Sequence, residues 1–135
     1  MSSVTELALS RDEPVRADQG TLLIPLRLPW YRSLPLSAVE HLSITVDDQT
    51  FADDQLSLVV GEVEHRFDDV RNAHDRFWFV QDTAWARVPT NPSRNEVHLH
   101  VESAVRIPYL MVGPDTAVVR HIVEDATRPV TGGLA

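Results

Sequence analysis

Apolar and polar residues alternate in short runs along most of this 135-residue chain. A period of two places successive side chains on opposite faces of a β-strand, so each run predicts a strand with one buried face. No stretch has the pattern of a convincing amphipathic helix. The three clearest runs contain Leu42, Ile44 and Val46, then Leu56, Leu58 and Val60, then Val97, Leu99 and Val101.

The number and spacing of these strands indicate the fold class. About seven to nine short strands, with turns roughly every eight to twelve residues, predict an all-β, antiparallel β-sandwich. A small β-barrel or jelly roll is the alternative arrangement. We expect residues 1–135 to form one domain, with a polar N-terminal segment at 1–20 and a frayed tail at 127–135.

Turn and loop signals separate the strands. Asp47-Asp48 is typical of a hairpin turn, and Gly61 predicts a second turn or a bulge. The polar stretch 68–76 predicts a loop or a short helix. The aromatic run 77–80 and the run 83–88 predict strands, because aromatic and β-branched residues are enriched in strands.

A proline interrupts the alternating run 22–28. Pro25 has no backbone N–H, so it cannot donate to a neighbouring strand, and prolines within sheets are confined to edges and bulges. The sequence therefore predicts that this strand lies at a sheet edge or beside a bulge.

A short loop with two aromatic residues and an arginine follows this strand. Pro29 and Pro35 restrict the backbone on either side of Trp30, Tyr31 and Arg32. Aromatic and arginine side chains are enriched among the residues that anchor protein interfaces. The competing interpretation is a strand-ending corner whose aromatic rings fill the core.

The same pattern returns near the C-terminus. Residues 105–110 repeat the order apolar, Arg, apolar, Pro, aromatic that is found at 26–31. Arg27 and Arg106 occupy equivalent positions, and each is predicted on the strand face opposite the apolar row. Tyr109 follows the second corner. Each arginine is interpreted either as a solvated side chain or as an interface contact.

The composition excludes several classes of function. The net charge is −8, and all twelve basic residues are arginine. An acidic chain would be repelled by nucleic acid, whereas arginine suits planar, bidentate interface contacts. The absence of cysteine excludes disulfides and thiolate chemistry. No apolar run is long enough to span a membrane, and no signal peptide is evident, so the expected location is cytoplasmic.

One run carries possible metal ligands. His98 and His100 lie on one strand face, about 7 Å apart at their Cα atoms, and Glu102 continues that row. A cupin-type metal site would need a more distant glutamate and a preceding glycine. We therefore interpret the row as exposed or partner-facing and predict no metal in this chain. No phosphate-binding loop or nucleophile motif is present, so no catalytic residue is assigned.

The two Arg-x-Pro-aromatic corners, with the Ser-Leu-Pro-Leu-Ser segment at 33–37, resemble the small β subunit of bacterial C-glycoside deglycosidases. The resemblance covers about residues 20–123. It implies a β-sandwich that pairs with a larger α subunit, a (β/α)-barrel of the sugar-isomerase type. That subunit is expected to hold the main catalytic groups and a divalent metal. The expected metal is manganese.

The resemblance also implies a reaction and a role. The complete enzyme would cleave the carbon–carbon bond between a 3-oxo sugar and an aromatic aglycone. This chain would be an accessory subunit without a cofactor, which stabilises the α subunit and walls off part of the substrate pocket. The residues expected to contact partner or substrate are Arg27, Trp30, Tyr31, Arg32, Arg106 and Tyr109.

Two other functions stay open from the sequence. The first is a stand-alone module that binds a carbohydrate or another small ligand through Trp30, Tyr31 and Tyr109. The second is a small metalloenzyme built on His98 and His100. Expression of the chain alone would distinguish the binding module from an obligate β subunit. A binding module should behave well without a partner, whereas an obligate β subunit should be poorly soluble or inactive.

Overall fold

The computed structural model describes residues 9–10, 13–28, 33–70, 72–73, 75–79, 82–90 and 95–131, without the side chains of residues 108–110 and 112. Its helical segments are single turns, α1 (Phe67–Val70) and two 3-10 turns, Leu36–Ala38 and Asp53–Gln55. The strands are β1 (Val15–Asp18), β2 (Thr21–Leu26), β3 (Leu34–Pro35), β4 (Val39–Val46), β5 (Gln49–Ala52), β6 (Ser57–Val60), β7 (Val63–Arg66), β8 (Phe77–Trp78), β9 (Ala84–Val88), β10 (Glu96–Gly113) and β11 (Thr116–Thr131).

Nine of these strands form one curled sheet in the order β5-β4-β10-β11-β1-β2-β9-β6-β7, and β3 pairs separately with β8. Strand β1 joins the two halves of the sheet, because it pairs in parallel with β11 and antiparallel with β2. The other described pairs are antiparallel. The predicted all-β fold is confirmed, and the curled sheet is consistent with a β-sandwich.

The apolar rows of both halves of the sheet meet in one core. Ile44 and Leu99 come from the first half, and Ile24 and Leu58 come from the second half. All four are fully buried and belong to the same hydrophobic cluster. Burial of apolar surface is the main favourable term in folding, so these facing rows hold the halves of the sheet together.

The predicted strand at 42–46 and the turns that follow it are confirmed. Asp47 has a φ of 57° in the two-residue connection between β4 and β5, and Gly61 has a φ of 65° between β6 and β7. Asp47 also fastens its turn to β10. Its backbone N–H donates to the carbonyl of His98 at 2.8 Å, and its carboxylate accepts from the N–H of His98 at 3.1 Å.

The prediction that the strand with Pro25 is an edge strand is wrong. β2 lies inside the sheet, and Pro25 is paired with Trp85 of β9 without a shift in register. The carbonyl of Pro25 accepts from the backbone N–H of Ser10 at 3.0 Å. Since the N and O atoms of a strand residue point to the same side, the missing N–H faces Ser10 and leaves the ladder with β9 intact.

The predicted frayed tail at 127–135 is wrong for residues 127–131, which complete β11. Val130 is only 5% exposed, and its backbone N–H donates to the carbonyl of Asn95 at 2.8 Å. It is also the partner of Val15 in the parallel ladder. Residues 132–135 lie outside the described range.

The polar N-terminal segment contains a strand that the alternation did not predict. Val15 is fully buried at the start of β1, and Gln19 and Gly20 form the turn after β1 with positive φ angles. The backbone N–H of Leu9 donates to the carboxylate of Glu124 at 2.9 Å, across 115 residues of sequence. The two ends of the described chain therefore lie side by side.

We predict that Val130→Ala lowers the free energy of unfolding by about 1 to 3 kcal/mol, because it removes buried methyl groups at the junction of β1 and β11. Val123→Ala on the same strand is the matched control, since Val123 is 60% exposed and should change stability little. Chemical denaturation of both variants measures the difference. Equal free energies of unfolding for Val130→Ala and Val123→Ala would mean that the end of β11 is frayed.

Candidate partner-binding surface

Four of the six residues predicted to contact a partner or substrate cannot be placed. Trp30, Tyr31 and Arg32 lie outside the described residues, as does the side chain of Tyr109. Their role therefore stays a prediction. The next described residue, Ser33, leads directly into β3, and β3 pairs with β8.

Arg106 is held by a contact within the chain. Its Nη1 donates to the Glu40 carboxylate at 2.5 Å, and its Nη2 donates to the carbonyl of Ser37 at 3.5 Å. The register between β10 and β4 shifts next to Glu40, between the pairs formed by Ala104 and Val105. The guanidinium is partly exposed and borders a cleft of about 320 Å³. Arg106 is therefore oriented rather than freely solvated.

Arg27 occupies a different environment. Arg27 comes directly after the last residue of β2. It therefore does not lie on the strand, although the alternation had predicted it there. It borders a cavity of about 10 Å³ between the halves of the sheet, together with Val39, Trp78 and Ser103. A space of this size accommodates about one water molecule. Arg27 and Arg106 line separate cavities, so the repeated corners do not build one common cleft from these two side chains.

The histidine row on β10 is integrated into a cross-strand polar cluster. His100 contacts two carboxylates, with Nδ1 at 2.8 Å from Asp125 and Nε2 at 2.9 Å from Glu102. His98 Nδ1 lies 3.3 Å from the hydroxyl of Thr127. The sequence placed the two histidines and Glu102 on one face. It did not reveal Asp125, which is brought opposite His100 by the register of β10 and β11.

This cluster favours a protonated imidazole. The hydrogen bond to Asp125 and then the one to Glu102 raise the pKa of His100 above its ordinary value. An imidazole that donates from both nitrogens has no lone pair for a metal. Within the described part of the chain, no three His, Cys, Asp or Glu side chains are arranged to hold a metal ion.

A second polar network covers the outer face of the other half of the sheet. The guanidinium of Arg87 donates to Asp18 at 3.0 Å, to Thr21 at 2.9 Å and to Glu64 at 3.0 Å. The bond to Asp18 is the largest cause of the raised pKa of Arg87. These bonds connect β9 with the turn after β1 and with β7, so we interpret them as structural.

Two phenylalanines are exposed beside each other on the segment that contains β8. Phe77 and Phe79 are 46% and 50% exposed, whereas Trp78 between them is buried and donates from Nε1 to the carbonyl of Asp82 at 3.1 Å. The two rings are stacked, with centroids 6.3 Å apart and planes inclined by 25°. We call Phe77 and Phe79 the phenylalanine pair. The aromatic run 77–80 was predicted as a strand, and the structure confirms strand pairing at Phe77 and Trp78.

The phenylalanine pair borders a cleft of about 410 Å³. His65 reaches this cleft from β7, and its Nε2 is shielded from solvent without a hydrogen-bond partner in the described part of the chain. Asp75, Arg76 and Asp82 line the polar side of the cleft. The cleft therefore combines an aromatic wall with two carboxylates and one guanidinium.

Residues 20–109 match the family model described as C-glycoside deglycosidase beta subunit. The chain belongs to this family. It is 38% identical over 99 residues to the 3'-dehydrocarminate deglycosidase beta subunit of a Microbacterium species, an alignment that covers 71% of this chain and 74% of that protein.

Other C-glycoside deglycosidase β subunits align over more of the chain. The protein of Microbacterium trichothecenolyticum is 30% identical over 115 residues, which cover 84% of this chain and 86% of that protein. A protein of Arthrobacter globiformis is 26% identical over 113 residues, covering 82% and 86% of the two chains. Membership in a family of β subunits implies a heteromeric complex with an α subunit.

The matched segment contains the candidate surface. All six residues predicted to contact a partner or substrate lie within 20–109, as does the phenylalanine pair. Strand β11, with Asp125, lies beyond it. No helix among the described residues is long and apolar enough to cross a membrane.

We predict that Asp125→Asn lowers the pKa of His100 toward its ordinary value, because it removes the larger of the two stabilising carboxylate contacts. The raised pKa favours folding below the unfolded-state pKa near 6.5, and this contribution is lost as the pH rises through the folded-state value. Histidine NMR titration of both proteins measures the shift. An unchanged His100 titration would contradict the cluster.

We predict that the purified chain contains well under one equivalent of divalent metal, because His100 is engaged by two carboxylates and would have to lose a proton to bind a metal. Elemental analysis after purification without chelator measures the content. About one metal per chain would contradict the prediction and favour the metalloenzyme interpretation.

Proposed function

We propose that this chain is the accessory β subunit of a C-glycoside deglycosidase that cleaves the carbon–carbon bond between a 3-oxo sugar and an aromatic aglycone. The observation that carries the proposal is the match of residues 20–109 to the β-subunit family. The name of the Microbacterium relative supports the substrate class, since that protein is a 3'-dehydrocarminate deglycosidase subunit.

The proposed chemistry begins at the sugar ketone. The ketone acidifies the neighbouring C2 proton, so a general base can remove that proton and the aglycone can leave by elimination. A divalent metal would stabilise negative charge on the oxo or enolate oxygen. The reaction therefore needs a metal, a base and an acid in one pocket.

We assign these groups to the α subunit, in the proposal a metal-dependent barrel of the sugar-isomerase type. The clusters around His100 and Arg87 are occupied by internal contacts instead. His100 is bound to Asp125 and Glu102, Arg87 is bound to Asp18 and Glu64, and none of these borders the cleft next to the phenylalanine pair. This supports an accessory role.

The proposed role of the chain is to stabilise the α subunit and to wall off part of the substrate pocket. Pro29, Pro35 and Pro108 restrict the backbone next to the predicted contact residues, so little conformational entropy is lost on docking. The contact between Arg106 and Glu40 restricts a further side chain in the same way. The proposed contact residues are Arg27, Trp30, Tyr31, Arg32, Arg106 and Tyr109.

We predict that Trp30→Ala and Tyr109→Ala each weaken association with the α subunit. Loss of a central aromatic anchor typically costs about 2 to 4 kcal/mol, or roughly thirtyfold to a thousandfold in affinity. Association should be measured after co-expression, and the thermal midpoint of each variant chain should be compared with that of the unaltered chain.

The thermal midpoint distinguishes an interface anchor from a core residue. If Trp30→Ala unfolds the chain, the ring fills the core and the anchor hypothesis is wrong. If both variants retain the original affinity and midpoint, these residues do not contribute to the interface. A chain that folds well alone and binds a sugar without an α subunit would favour the stand-alone module.

A further inference from the structure

Exposed apolar side chains are concentrated near one edge of the curled sheet. The large apolar residues that are exposed in the described part of the chain are Val63, Phe77, Phe79, Met111 and Val123. Val63 shares a face of β7 with His65, which borders the same cleft as the phenylalanine pair. Two of the five residues, Phe77 and Phe79, therefore line this cleft, and Val63 lies on the strand that carries His65 into it.

The phenylalanine pair has the properties of an interface anchor. Stacked aromatic rings contribute a large apolar area at low conformational cost, and aromatic residues are enriched in the buried centres of protein interfaces. Here both rings are about half exposed, although Trp78 between them is 4% exposed. The alternation of the segment thus directs two phenylalanines outward, where no described element covers them.

The neighbouring strand β7 is an edge of the nine-stranded sheet. In the described structure it pairs only with β6, so one side of its backbone is available to another chain. The opposite edge, β5, is less suitable. Its aromatic residue, Phe51, is partly buried against the core and does not present an exposed ring.

The charge around the cleft indicates the chemistry of the occupant. Asp75 and Asp82 supply two carboxylates, whereas Arg76 supplies one positive charge. The whole chain is also acidic, with a net charge of −8. A partner that inserts an apolar or aromatic side chain and surrounds it with arginine or lysine would be complementary.

The phenylalanine pair lies on the segment that pairs with β3, the strand that follows the predicted anchor loop in the sequence. Strand β3 pairs with β8, with Leu34 opposite Trp78 and Pro35 opposite Phe77. Ser33 alone separates β3 from residues 30–32, which are predicted to contact the α subunit. The pairing therefore connects the predicted loop to the segment that carries the phenylalanine pair.

We infer that the phenylalanine pair, Val63 and the free edge of β7 form the docking surface for the α subunit, which presents an apolar or aromatic side chain flanked by basic residues. The inference rests on the proposed function, since it assigns the partner of that complex to one edge of the sheet. It adds Phe77 and Phe79 to the interface and excludes the row of His98, His100 and Glu102 on β10.

The test is a competition between two β chains for one α subunit. The α subunit, the unaltered chain and a differently tagged Phe77→Ser/Phe79→Ser chain are co-expressed, and the ratio of β chains captured on the α subunit is compared with their ratio in the lysate. We expect the variant to be depleted at least tenfold in the complex. Val123→Ser is the matched control, because it also replaces an exposed apolar residue and should be captured equally.

A second variant separates docking from folding. Phe77→Leu/Phe79→Leu keeps an apolar surface and should recover most of the captured fraction, whereas a soluble serine variant should retain the far-UV spectrum of the unaltered chain. Capture of the serine variant equal to that of the unaltered chain would overturn the inference and leave the proposed function standing. No capture of the unaltered chain by the α subunit would overturn both.

The charge component has its own readout. Asp75→Asn/Asp82→Asn should slow association with the α subunit several-fold at low salt and reduce the dependence of the association rate on salt. Asp115→Asn is the control, since Asp115 lies in the turn between β10 and β11. An unchanged salt dependence would overturn the assignment of basic residues to the partner.

Discussion

The structure depends on the placement of β1 between β11 and β2. Without this strand the described ladders would form two separate sheets, β5-β4-β10-β11 and β2-β9-β6-β7, each with one apolar face. The short parallel pairing of Val15 with Val130 and the antiparallel pairing of Arg16 with Leu23 join them into one surface that curls around a single core. Close packing of the facing rows then excludes water and fixes the register of the strands.

Alternation along the chain was sufficient to predict the fold class and the clearest strands, because the apolar rows at 42–46, 56–60 and 97–101 have a period of two and face one core. It was insufficient for β1, where only Val15 is fully buried, and for the end of β11, where Pro129 is typical of a chain terminus. The two segments pair with each other, and this pairing orders both of them. Local composition cannot predict an interaction between residues so far apart in the sequence.

The candidate site was only partly accessible from the sequence. The row of His98, His100 and Glu102 follows from strand periodicity, but Asp125 enters through the register of a long hairpin. Strand periodicity also places Trp78 on one face and its two phenylalanine neighbours on the other. The sequence could not show which of these two faces is covered. Pro25 was misplaced for a different reason. Its missing N–H faces Ser10 and not β9, and this orientation became visible only with the position of Ser10.

The contact between the two ends of the described chain also affects how the subunit is produced. Arg128 donates to the carbonyl of Ser10 across 118 residues of sequence, close to the Leu9 contact with Glu124. Contacts of such long range are slow to form, and this one requires nearly the whole chain to have left the ribosome. The first half of the sheet therefore cannot be joined to the second until β11 has been synthesised. Until then the apolar faces of the two halves are not covered by each other and are open to aggregation.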